Sequence, residues 1–179
     1  VDAASISLAD ERGSCPDAEE YGIKERFSNK TAIAPTASIS IICGGSSPGI
    51  EPIAANSFTH KTLSGSFNVR NKYLKKILQK YEKDTDDVWS GITTNQGSVS
   101  HLDFLTAEEK DTFKTAFEID QRWIIELGAD RTPHISQAQS INVFVPADIH
   151  KKELHDIHFQ AWKKGLKSLY YCRSKSIQR

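Results

Sequence analysis

Methionine is missing altogether from this chain of 179 residues, and with it any initiator. The chain opens on Asp2-Ala3-Ala4-Ser5-Ile6-Ser7-Leu8-Ala9, which reads as the interior of a helix, and stops at Ser176-Ile177-Gln178-Arg179 without a closing signal. A fragment or a split-gene product is therefore expected. Cysteine is scarce: Cys15, Cys43 and Cys172 are odd in number and widely spaced, and no C-x-x-C pair occurs. That excludes a disulfide framework, a zinc knuckle and a thioredoxin-type dithiol, and fits a reducing cytoplasm. No apolar run approaches the roughly 20 residues that span a bilayer. No charged-then-apolar leader follows Val1, so neither a membrane location nor secretion is expected. Neither sign of charge dominates, with 23 Lys+Arg against 23 Asp+Glu, so no global field draws nucleic acid or a membrane surface. The glycine-rich stretch Gly44-Gly45-Ser46-Ser47-Pro48-Gly49 lacks both the G-K-[ST] ending of a P-loop and the G-x-G-x-x-G spacing of a dinucleotide fold.

What is present suits one soluble globular domain: hydrophobic residues make up 38% and charged residues 26%. The opening helix is expected to end near Gly13, with Pro16 blocking simple continuation. Thr31 to Ala34 reads as a short strand, Ser40 to Cys43 as the start of a helix, and 44–49 as a loop. Asn71 to Lys83 has the 3.6-residue period of an amphipathic helix, with Tyr73, Leu74, Ile77, Leu78 and Tyr81 on one face. Residues 84–100 carry little periodic signal. Thr106-Ala107-Glu108-Glu109 has the form of a capping box. The helix it opens is expected to carry Phe113, Phe117, Ile124 and Leu127 and to stop at Gly128. Gln137 to Val145 alternates as a strand, with Ile141, Val143 and Val145 on one side. Asp148 is placed to cap a last helix with the stripe Leu154, Ile157, His158 and Ala161. That helix ends at Gly165 and leads into a strand from Leu166 to Cys172. This alternation of strands and helices indicates an α/β protein without internal repeats.

Two motifs carry chemistry. Pro35-Thr36-Ala37-Ser38-Ile39-Ser40 joins a strand to a helix start, where unpaired backbone amides and hydroxyl groups suit a phosphate. Its plainer reading is a proline turn with an ordinary hydroxyl cap, and on these residues alone that reading is favoured. Tyr170-Tyr171 places two phenols side by side. Strand neighbours face opposite sides, which favours one core and one surface contact, while the functional reading is a relay that moves an electron and a proton together. Glu51 reads as an exposed loop acid. His150, His155 and His158 read as a solvated polar face rather than a metal site.

As an ordered series the segments resemble the C-terminal part of the large (alpha) subunit of class I ribonucleotide reductase. They are Leu8 to Gly13 with Cys15-Pro16-Asp17, Ala34 to Ser40, Ser47 to Ile53, Lys61 to Phe67, Gly97-Ser98-Val99, Gln137 to Asn142, and Trp162 to Gly165 leading into Tyr170-Tyr171. The resemblance implies the C-terminal portion of a ten-stranded α/β barrel over residues 1–179. It implies reduction of ribonucleoside diphosphates to deoxyribonucleotides for DNA synthesis. It assigns Thr36, Ala37, Ser38 and Ile39 to the substrate diphosphate, with Ser40 beside them. It assigns Tyr171 to receive an oxidising equivalent from the metal-containing small (beta) subunit, and Tyr170 to pass it to a hydrogen-abstracting cysteine.

The resemblance also defines what this chain lacks. There is no N-x-C-x-E pattern for the radical cysteine, no pair of reducing cysteines and no shuttle-cysteine tail. The thiol of Cys15 and that of Cys172 read as structural. The implied partners are the remainder of the large subunit, the small subunit, and thioredoxin or glutaredoxin through a tail not in this chain. No metal or other cofactor is assigned to this chain itself. The alternative is a non-catalytic remnant or a small-subunit-binding module.

Overall fold

The computed structural model describes residues 1–63 and 65–174; Ser64 of the Lys61–Phe67 segment and the closing residues 175–179 lie outside the described residues. Helix α1 (Asp2–Arg12) ends as the sequence predicts, with the Gly13 N–H donating to the Ala9 carbonyl at 2.9 Å. Its buried Ser5 hydroxyl accepts from the backbone N–H groups of Arg26 and Phe27, which ties the following extended segment to the helix. Pro16 opens a short helix, α2 (Pro16–Glu20), because a missing N–H costs nothing in a first turn. The expected strand at Thr31–Ala34 reduces to one parallel bridge, Ile33 to Gln139. The next helix starts earlier than expected, as α3 (Ala37–Ile42).

The sequence pattern does not announce the antiparallel hairpin β1 (Ser57–Thr62) and β2 (Gly65–Arg70), in register from Ser57 opposite Arg70. The reason is its exposure: β2 has no buried residue, so no apolar alternation is imposed on it. Helix α4 (Lys72–Lys80) matches the amphipathic prediction and starts at Asn71, whose side chain accepts from the N–H groups of Tyr73 and Leu74. Leu74 and Leu78 are fully buried, but Tyr73 is exposed and leaves the predicted face. Residues 84–100, which carry little periodic signal, contain helix α5 (Asp86–Thr94), capped by Thr85 and burying Trp89 and Ile92. These side chains form one core with Leu74, Leu78, Val99, Leu102 and Leu105.

The capping box at Thr106 and Glu109 is present, but the single helix expected from it is two. Helix α6 (Ala107–Thr112) stops before Phe113, and α7 (Gln121–Arg131) begins afresh with Asp120 as its cap. The break is held by side chains. Thr115 donates its N–H and hydroxyl to Glu118, and the buried Gln121 amide donates to the Ala116 and Ile119 carbonyls. Ile125, not Leu127, is the large apolar side chain that α7 buries. Gly128 does not stop the helix. It lies inside α7 because a β-carbon there would come within 2.7 Å of Ile141 Cδ1.

After a 3-10 turn (Thr132–His134), the expected strand 137–145 is regular only at β3 (Val143–Val145). Its burial does not alternate: Asn142 and Phe144 are buried along with Ile141, Val143 and Val145. A parallel strand covered on both faces has this property. Helix α8 (Lys151–Lys163) is capped by His150, which accepts from the Lys152 N–H, and not by Asp148. Ile157 and Ala161 are buried, whereas His158 faces solvent. The final strand is β4 (Cys172–Ser174), shorter and later than expected, and parallel to β3. Residues 31–33, 137–145 and 170–174 thus run side by side in one direction. Helix α8, which connects β3 to β4 in the chain, packs against α7, and a second core gathers Ile125, Val143, Val145, Ile157 and Ala161. Among the described residues no helix is long and apolar enough to cross a membrane.

Candidate functional site

Thr36 is the hinge of the Pro35–Ser40 motif. It stands before α3 in the left-handed region (φ 51°, ψ 29°), unusual for a β-branched residue, and makes no side-chain cap to the helix. Its hydroxyl oxygen instead accepts from the Gly49 N–H at 2.6 Å. Gly49 itself has φ +58°, and a β-carbon on it would crowd the carbonyl oxygens of Ala34 and Pro35 at 3.4 and 3.5 Å. The 44–49 loop thereby folds back on the turn that precedes α3.

Ala37, Ser38 and Ile39 form the first turn of α3 and are exposed, and N–H groups in a first helical turn have no partner within the helix. Ser40 is different. It is buried, and its hydroxyl donates to the Ala37 carbonyl at 2.8 Å. The first turn of α3 is thus exposed from Ala37 to Ile39, while the Ser40 hydroxyl is occupied within the helix. Behind α3 lies a largely apolar cavity of ≈ 400 Å³ between Ile41, Pro48, Phe58 and Val69.

Tyr170 and Tyr171 come just before β4 and are each about half exposed. Their rings are not on opposite faces, as strand neighbours would be. The centroids lie 4.2 Å apart with the planes inclined at 52°. The backbone explains this: the Tyr170 N–H donates to the Ile141 carbonyl, and the Tyr171 carbonyl accepts from the Val143 N–H, but the Tyr171 N–H turns to the Asn142 side chain. Hydrogen bonding to the Tyr171 phenol holds the Tyr170 phenol above its ordinary range, and the proximity of the second ring adds to the effect. The Arg173 guanidinium carbon lies 5.5 Å from the Tyr171 ring centroid.

Glu51, which the sequence reading misplaced, and Asn142, to which it gave no separate role, meet beside the tyrosine pair. Glu51, expected to be an exposed loop acid, is 8% exposed, and its Oε1 accepts from both the backbone N–H and the side-chain amide of Asn142. Asn142, 3% exposed, presents its own oxygen to the Tyr171 N–H at 2.9 Å. Burial pushes the Glu51 carboxyl above its ordinary value, against the lowering effect of the Asn142 hydrogen bonds and of Arg173. A signal for Asn142 did exist, since a lone amide between Ile141 and Val143 needs a buried partner.

The remaining candidates do not join this site. Cys15, Cys43 and Cys172 are free thiols, and Cys43 and Cys172 are exposed. The three histidines of the α8 region have separate roles: His150 caps the helix, His155 stacks on Phe159, and His158 lies 2.8 Å from the Leu154 carbonyl.

Comparison with known proteins agrees with this architecture. The family model described as ribonucleotide reductase, barrel domain, matches residues 4–172. The ribonucleoside-diphosphate reductase large subunit of Invertebrate iridescent virus 6 is 50% identical across 99% of this chain, which covers 19% of that protein. That of Invertebrate iridescent virus 3 is 44% identical across 99% of this chain and 28% of its own length. The alpha subunit of the class Id ribonucleotide reductase of Actinobacillus ureae superposes with a TM-score of 0.81 at 38% identity, over 97% of this chain and 31% of that one. The chain thus spans under a third of the length of these relatives. The α/β arrangement and the ordered motifs are those of part of such a barrel. This chain belongs to the ribonucleotide reductase barrel-domain family.

Proposed function

We propose that this chain is the C-terminal part of the catalytic barrel of a ribonucleoside-diphosphate reductase large subunit, and that it contributes two parts of the machinery. The turn Thr36-Ala37-Ser38-Ile39 holds the substrate diphosphate through first-turn amides and hydroxyl groups. Tyr171 and Tyr170 pass an oxidising equivalent, which the metal-containing small subunit supplies, toward a cysteine elsewhere in the large subunit. The full reaction replaces the ribose 2′-hydroxyl with hydrogen and releases water, with the two electrons coming from a pair of thiols that this chain does not carry. A tail outside this chain, re-reduced by thioredoxin or glutaredoxin, restores those thiols.

The observation that carries the reading is the ring contact of Tyr170 and Tyr171, 4.2 Å between centroids in a half-exposed position. A phenol held above its ordinary pKa stays protonated at neutral pH, so the electron and the proton leave it together. The reading as a free-standing module is disfavoured by the exposed apolar side chains Ile42 and Trp162, 83% and 72% accessible, which suit burial against the rest of a barrel.

The test is ribonucleoside-diphosphate reduction by this chain alone, and then by the chain combined with the remainder of a large subunit and a small subunit. Turnover in the mixture only, lost in Tyr170→Phe, supports the proposal. A folded mixture that binds small subunit but never turns over favours the non-catalytic binding module.

A further inference from the structure

The substrate turn and the tyrosine pair are far apart in the sequence, yet two sets of hydrogen bonds, joined through the short backbone segment 48–51, connect them. The Gly49 N–H donates to the Thr36 hydroxyl oxygen at 2.6 Å. Two residues on, the Glu51 N–H closes a turn onto the Pro48 carbonyl at 3.2 Å. The Glu51 carboxylate then takes both donors of Asn142, backbone N–H and side-chain amide. The remaining polar atom of that side chain accepts the Tyr171 N–H at 2.9 Å. From there the Tyr171 carbonyl receives the Val143 N–H at 3.0 Å and enters the β3–β4 pairing.

The burial makes this set more than a packing detail. Glu51 and Asn142 are both nearly inaccessible. A buried carboxylate costs stability unless its bonds are complete, and an apolar pair of the same volume would serve the core at least as well. Here the acid directs its bonds to the one side chain that fixes the Tyr171 amide. Because buried groups in such a network have few alternative partners, a displacement at one end is transmitted rather than absorbed. Arg173 adds a second link at the same end, since it lies over the Tyr171 ring and its charge also acts on Glu51.

We infer that Glu51 and Asn142 are positioning residues that couple occupancy of the Thr36 turn to the placement of Tyr171, an inference that rests on the proposed roles of that turn and that tyrosine. Substrate diphosphate on the turn restrains Thr36 and Gly49, and through Glu51 and Asn142 restrains the Tyr171 backbone. Coupling of this kind is reciprocal, so order at Tyr171 favours substrate to the same degree.

Amide hydrogen exchange tests this in the complete large subunit with its small subunit, with and without a ribonucleoside diphosphate. In the unsubstituted enzyme, substrate is expected to slow exchange by about 5-fold or more both at residues 36–49 and at the Tyr171 amide. In Glu51→Ala the effect at 36–49 persists and that at Tyr171 disappears. In Glu51→Gln, whose amide oxygen still accepts from Asn142, both effects remain. If Glu51→Ala does not fold, Asn142→Asp serves, since it keeps the acceptor for Tyr171 but sets a carboxylate that repels Glu51 where the amide donor stood, against the one remaining backbone N–H bond. Protection at 36–49 without any response at Tyr171 in the unsubstituted enzyme overturns the inference, as does a Tyr171 response that survives Glu51→Ala or Asn142→Asp. Absence of protection at 36–49 itself overturns the substrate-turn reading first, and the coupling with it.

Discussion

The rings of Tyr170 and Tyr171 lie against each other, 4.2 Å between centroids, although the two residues are adjacent in the chain. The contact is possible because Asn142, rather than a neighbouring strand, takes the Tyr171 N–H and turns the backbone there. Phenylalanine at either position preserves the ring contact and removes the transferable proton. In a reconstituted enzyme, Tyr170→Phe and Tyr171→Phe are each expected to reduce turnover to background while substrate affinity stays nearly unchanged. Parallel kcat and substrate-binding measurements decide the matter, and a loss of binding instead would mark the phenols as structural.

At the other end of the site, Ser38 is exposed in the first turn of α3 with no cap to make. Its hydroxyl is expected to donate to the substrate diphosphate. A hydrogen bond to a charged group is worth about 1.5–3 kcal/mol, so Ser38→Ala should weaken substrate binding roughly 10- to 150-fold. Titration of substrate by calorimetry checks this, and an unaltered Kd removes Ser38 from the binding set.

Glu51 makes a pH signature. Burial raises its folded-state pKa above the ordinary carboxyl value, so the native state holds this proton more tightly than the unfolded chain does. The stability that this group contributes is therefore complete at low pH and is lost as pH rises through the folded value. Glu51→Gln lacks that loss. Its stability relative to the unsubstituted protein is expected to increase between about pH 4 and about pH 7. The carboxylates held below their ordinary range, such as Asp84 and Asp120, change in the opposite sense but are common to both proteins and cancel. Denaturation midpoints at the two pH values supply the comparison, and a flat difference contradicts the assigned burial.

Gly97 allows no side chain. It has φ +83°, and a β-carbon would fall 2.3 Å from that of Ala55. Its carbonyl also receives the Asn56 N–H and side-chain amide, which anchor the hairpin base to α5. Backbone strain and overpacking together predict that Gly97→Ala destabilises by at least about 3 kcal/mol. A chemical denaturation curve reads this directly.

Leu78 is fully buried against Trp89 and Ile92 in the first core. Leu78→Ala should cost about 2–5 kcal/mol through lost transfer energy and the cavity left behind. Because neither Tyr170 nor Tyr171 packs on this core, the ring contact should survive, and a tyrosine-sensitive near-ultraviolet spectrum below the unfolding transition checks that it does.

Local signals were legible where a helix declares itself through side chains close in sequence. Asn71 with the stripe Leu74, Ile77, Leu78 defines α4, Thr106 with Glu109 defines the start of α6, and Gly13 and Gly165 mark helix ends. The family was legible too, because the ordered short motifs are specific as a set even where each is modest. Periodicity alone misjudged the stretch from Phe113 to Leu127, since apolar spacing continues across a break that Glu118, Asp120 and Gln121 impose through their own hydrogen bonds. It also passed over the hairpin 57–70, whose exposed second strand carries no pattern.

What the sequence by itself determined is the chemistry available: hydroxyl groups and amides at Thr36 to Ile39, paired phenols at 170 and 171, and no dithiol. What only the tertiary structure decided is how those parts meet. Glu51 is buried against Asn142, 91 positions away and immediately before a strand covered on both faces. The tyrosines share one side because that same asparagine takes an amide that β pairing would have used. Side-chain burial and long-range hydrogen bonding depend on neighbours that only folding brings together, so no local pattern records them.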